Sequence, residues 1–145
     1  MRIRAGRLIA EEFDPRAFRY AMSVAERWRE SGLTVELVEY MPLGGEPQGY
    51  VISAASGTTM MVLRSQRWCQ RRWFRRKRLV WTMSIAVRHR DPAAVNGSDS
   101  AWLPAREVGV VAALDQERLW EQVEDWIAGR LRPYSSVEEA LRSLP

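Results

Sequence analysis

Few residues in this 145-residue chain could carry covalent chemistry: it has one cysteine, Cys69, and one histidine, His89. Cys69 has the cationic neighbours that activate a thiol, but only His89 offers a base and nothing in the sequence brings the two together. The plainer reading of Cys69 is a small core residue. His89, between Arg88 and Arg90 at a strand end, reads as an edge histidine. Glu36 and Glu39 sit on one expected strand but on opposite faces, and Lys77 lies in a separate basic run. That is a poor match to a metal nuclease. Gly44-Gly45 and Gly57 suit tight turns rather than a phosphate loop, because no helix follows them. No catalytic constellation, metal set or cofactor motif emerges.

The charge distribution is more informative. The formal net charge is +4, yet residues 47–90 hold ten basic side chains and no acidic one. The last 39 residues, 107–145, hold four basic against eight acidic. Arginine outnumbers lysine 21 to 1, which a GC-rich codon bias explains. Codon bias scatters arginines, however, and does not gather Arg71, Arg72, Arg75, Arg76, Lys77 and Arg78 together. The cluster requires its own cause.

The elements that would position it can be read in outline. Asp14 and Pro15 open a helix and Gly32 closes it, at about 15–31, with Phe18, Ala21, Met22, Ala25 and Trp28 as its apolar stripe. Ile3, Leu8 and Ile9 suggest a short first strand. Leu33–Met41, Tyr50–Ala54 and Thr58–Leu63 read as further strands, punctuated by Gly44-Gly45-Glu46-Pro47 and Ser56-Gly57. Leu79, Trp81, Met83, Ile85 and Val87 alternate with small or polar residues, the clearest strand pattern in the chain. Residues 91–104 read as a surface loop. Val108–Leu114 is apolar enough for a central strand.

Asp115 caps a second helix with Leu119, Trp120, Val123, Trp126, Ile127 and Leu131 in one stripe, ended by Pro133. Ser136 and Glu139 have capping-box spacing for a short third helix. The expected fold is a single α+β domain. An antiparallel sheet of about five or six strands is packed by an N-terminal and a C-terminal amphipathic helix, plus the short terminal helix. The single cysteine makes a reducing cytoplasm the default, and neither a signal peptide nor a membrane span is apparent.

The basic stretch, about 64–78, contains neither glycine nor proline and fits an extended hairpin arm turning near Gln70-Arg71. Like charges packed along such an arm repel and add nothing to folding. An anionic partner relieves them, and nucleic acid is the simplest. Arg64, Arg67, Arg71, Arg72, Arg75, Arg76, Lys77 and Arg78 would contact phosphates, while Trp68 and Trp73 would stack on bases. No helix-turn-helix, zinc-finger or RNA-binding aromatic signature accompanies them.

The expectation is a non-catalytic binding protein without cofactor, compatible with a subunit role in a nucleoprotein assembly. The alternative is a protein-interaction module meeting an acidic protein surface. A third is a small ligand carrier or enzyme with an apolar pocket, for which Trp28, Trp120 and Trp126 would provide walls.

Overall fold

The computed structural model describes residues 8–10, 14–41, 48–71, 77–93 and 101–145. Asp14 caps the first helix, its Oδ1 accepting from the Arg16 amide at 2.9 Å, and α1 runs Pro15–Glu30. Gly32, at φ +98°, takes the left-handed position just past the C-cap. The buried stripe is Ala17, Ala21, Val24 and Ala25, with Phe18 and Trp28 partly buried beside it. Three alanines let the helix lie close to the sheet. Met22, expected in the stripe, is exposed, because it lies roughly 110° round the helix from the stripe's centre.

Five strands form an antiparallel meander: β2 (Thr34–Tyr40), β3 (Gly49–Ser56), β4 (Thr59–Arg71), β5 (Lys77–His89) and β6 (Arg106–Ala113), in that spatial order. A sixth strand, β1 (Leu8–Ala10), pairs with residues 68–70 of β4, just beyond Gln66, where β3 stops covering that edge. The short first strand is therefore present at Leu8; Ile3 lies outside the described residues, as does the Gly44-Gly45-Glu46-Pro47 turn.

Three expectations need correction. First, β4 does not end at Leu63 and the chain does not turn at Gln70-Arg71. Pairing continues through Gln70 with Arg78 and Arg71 with Lys77. Charged residues tolerate a paired strand when the register suits them, and Arg67 and Cys69 keep the phase of Leu63 opposite Trp81 and Leu79.

Second, β6 is an edge strand rather than a central one. It is apolar because both of its faces are covered: Val111 and Ala113 join the main core, and Ala112 and Val110 the smaller one. Its outer edge is partly paired too, since Val110 exchanges backbone hydrogen bonds of 2.8 and 2.9 Å with Tyr134. Gly109 permits this approach, because a Cβ there would press on Pro133 and the Tyr134 carbonyl.

Third, 91–104 is not wholly a surface loop. Ala101 is buried, Arg90 and Trp102 form a bridge, and the Leu103 amide donates to the His89 carbonyl at 2.8 Å.

Asp115 caps α2 (Gln116–Ile127), its Oδ1 accepting from the Arg118 amide at 2.8 Å. The helix ends at Ile127, followed by Gly129 at φ +76°, so glycine and not Pro133 stops it. Ile127 is exposed, while Leu131 returns to the core after the helix. A short helix, α3 (Val137–Arg142), is capped by Ser136.

The helices sort onto the two sheet faces. Helices α1 and α2 cover one face, enclosing Tyr50, Ile52, Leu63, Trp81, Met83, Ile85, Leu119 and Trp120. On the other, α3 covers one end only, burying Val80 and Ala112 under Ala140 and Leu141. Among the described residues no other helix covers that second face. Among the described residues no helix is long and apolar enough to cross a membrane.

Candidate functional site

The β4–β5 hairpin distributes its cations by strand parity. Odd-numbered β4 residues share a face with α1 and α2; even-numbered ones face the side partly covered by α3. Arg67, on the helical side, is mostly buried. Its Nη1 lies 3.4 Å from Asp14 Oδ2, and its guanidinium carbon sits 5.6 Å from the Trp81 ring centroid. This arginine serves the fold, joining the cap of α1 to the sheet.

Arg64, on the opposite face, stacks over Tyr40 with its guanidinium carbon 5.1 Å from the ring centroid. Its Nε is buried without a hydrogen-bond partner among the described residues. Arg78 donates to Gln70 Oε1 at 2.8 Å and to the Pro145 carbonyl at 2.7 Å, tying the hairpin to the C-terminal tail. Trp68 is half-buried against Val80, and its Nε1 donates to Thr82 Oγ1 at 2.9 Å. Its ring contributes to the small core.

Arg71 and Lys77 stand directly opposite one another at the last described pair of the hairpin. Both are exposed, and neither has an ion pair among the described residues. Arg72, Trp73, Arg75 and Arg76, singled out from the sequence, lie outside the described residues.

Among the described residues, no carboxylate of the acidic C-terminal half forms an ion pair with Arg71 or Lys77. Glu124, Asp115, Asp125 and Glu138 pair with Arg27, Arg118, Arg130 and Arg142, all outside the basic stretch. Those pairs are exposed and individually weak.

Comparison with family models, curated proteins and solved structures finds no match to this chain. The molecule must therefore be read from its own geometry.

That geometry includes features the sequence reading missed. The second face carries a cavity of about 600 Å³ whose lining includes Tyr40, Val51, Val62, Arg64, Ser84 and Val110. A second, more polar cavity of about 700 Å³ lies toward the other end of the same face, near Glu36, Met60, Arg88 and Trp102. There Arg88 donates to the carbonyls of Leu103 and Trp102 at 2.9 and 3.2 Å, and Arg90 stacks over Trp102 at 5.1 Å. The available signal was the run of small residues at Ser84 and Ala86, opposite arginine and valine in the register. The tryptophans proposed as pocket walls pack elsewhere: Trp120 is buried edge-on to Trp28 at 5.6 Å, with Trp126 beside the same core.

His89 is exposed at the end of β5, and Cys69 is half-buried and free. Their strand positions place them well apart: Cys69 pairs with Leu79, ten residues along β5 from His89. The described residues contain no group of three His, Cys, Asp or Glu able to hold a metal ion.

Proposed function

We propose that this protein docks an anionic polymer, nucleic acid in the first instance, at the distal end of the β4–β5 hairpin. The observation supporting this reading is the exposed cross-strand pair of Arg71 and Lys77, without a carboxylate partner among the described residues. In sequence the pair brackets Arg72, Arg75 and Arg76, so five cations belong to one strand connection. Like charges directly opposed across a ladder cost stability, and that cost falls when phosphates lie between them.

Arginine suits the task through bidentate contact with phosphate. Trp73 is the remaining candidate for base stacking, since Trp68 is engaged with Thr82 and the small core. Arg67 leaves the proposed contact set because Asp14 holds it. The role is that of a non-catalytic binding protein or accessory subunit.

The test is a fluorescence-anisotropy titration with labelled single-stranded and duplex oligonucleotides at low salt. Saturable binding that is weakened in Arg71→Gln/Lys77→Gln supports the reading. Absence of binding to both forms, with one acidic protein retained through nuclease treatment, would transfer the site to a protein partner.

A further inference from the structure

Arg64 is chemically out of place on the second sheet face. It lies mid-strand in a row that crosses four strands, Val51–Arg64–Ser84–Val110, so its cross-strand neighbours are a valine and a serine, with a second valine beyond the serine. Val62 and Tyr40 complete a cavity of about 600 Å³ around it, a size typical of small-molecule sites. A buried guanidinium nitrogen normally has a carboxylate or other acceptor beside it, and the Nε of Arg64 is buried with none among the described residues. Arg64 has no ion pair among the described residues. Among the described lining residues the one carboxylate, Glu107, is on an exposed stretch of β6 and pairs across the sheet with Ala86.

We propose that this cavity binds an amphipathic monocarboxylate, with the carboxylate on Arg64 and the apolar body against Val51, Val62 and Val110. The cation–π contact with Tyr40, 5.1 Å from guanidinium carbon to ring centroid, holds the head group at one wall of the cavity. The terminal N–H groups lie in the guanidinium plane, the geometry that receives two carboxylate oxygens. Ser84, directly opposite Arg64, adds a hydroxyl that can donate to the same group. The valine rows supply an apolar wall that a free phosphate or a sugar would leave unused. Chemistry and shape therefore select one negative charge attached to an acyl or aryl body. This site is separate from the hairpin end and is independent of what binds there.

The probes are 1-naphthaleneacetate and its neutral counterpart 2-(1-naphthyl)ethanol, followed by amide chemical-shift mapping and calorimetry on the full chain. The acid should shift the amides of Val51, Val62, Arg64, Ser84 and Val110, and bind at least about tenfold more tightly than the alcohol. Arg64→Met, checked for an unchanged fold by its amide spectrum, should erase that preference. Should Arg64→Met prove unfolded, Val62→Trp provides the second arm, filling the cavity and abolishing binding of the acid. Equal binding of acid and alcohol, shifts centred elsewhere, or full binding by the folded Arg64→Met or Val62→Trp protein would overturn the proposal.

Discussion

Arg67 and Asp14 join the sheet to the first helix: Arg67 Nη1 approaches Asp14 Oδ2 at 3.4 Å while Asp14 Oδ1 caps the Arg16 amide at 2.9 Å. One carboxylate thus both caps the helix and pairs with a cation from the basic segment. Asp14→Asn should keep the cap but take the carboxylate away from Arg67, costing about 1–2 kcal/mol. Asp14→Ala should cost about 1 kcal/mol more. A urea-denaturation cycle with Arg67→Met measures the coupling, and additive single losses would refute the linkage.

Tyr50 has a similar bridging role inside the core. Its hydroxyl donates to Gln116 Oε1 at 2.8 Å and accepts from Trp120 Nε1 at 3.1 Å. Burial raises the phenol well above its usual range. A raised acid stabilises the fold fully below the unfolded value, near 10, and that contribution drains away as pH climbs toward the folded value. Urea midpoints should therefore fall above about pH 10. Tyr50→Phe should flatten that part of the profile while losing about 1 kcal/mol at neutral pH, as Trp120 loses its acceptor.

Much of this fold was legible from the sequence because its punctuation is local. Asp14, Asp115 and Ser136 each accept from a first-turn amide, and Gly32 closes α1. Alternation from Leu79 to Val87 identified β5. Errors arose where tertiary structure decides. An apolar strand covered on both faces reads the same at an edge as in the centre, so the edge position of β6 is not legible in its sequence. The arginine-rich half of β4 looked like the start of a turn because register with β5 cannot be seen in one strand. For the candidate site, sequence located the charge but not its division, in which strand parity sends Arg67 to Asp14 and Arg64 to Tyr40.

The third helix should respond to acid. Ser135 donates from both its amide and its hydroxyl to Glu139 Oε2, at 3.2 and 2.8 Å, and these bonds hold the Glu139 carboxyl below its ordinary range. A lowered carboxyl stabilises above the unfolded value of 4.5, and the benefit disappears as pH falls through the folded one. An NMR titration should place the Glu139 midpoint below 4.5, and Ser135→Ala should move it upward. A Glu139 titration that Ser135→Ala leaves unmoved would contradict the assignment.

Gly49 pairs with Gln66 at the end of the β3–β4 ladder, and a Cβ there would collide with the Ser65 carbonyl oxygen. Gly49→Ala should destabilise by more than about 2 kcal/mol. Gly57→Ala, with open space around it but φ +59°, should cost about 1 kcal/mol. Thermal melts of the two variants compare them directly; equal midpoints would show that the strands relax around the new methyl.

The hairpin-docking account is tested most directly by the salt dependence of oligonucleotide binding. With about five phosphate contacts, a plot of log affinity against log salt should have a slope of about −3.5 for a single strand and about −4.5 for duplex. Removing two cations in Arg71→Gln/Lys77→Gln should reduce the slope by roughly 1.4 on a single strand. A slope near zero, or one that the double variant leaves unchanged, would contradict it.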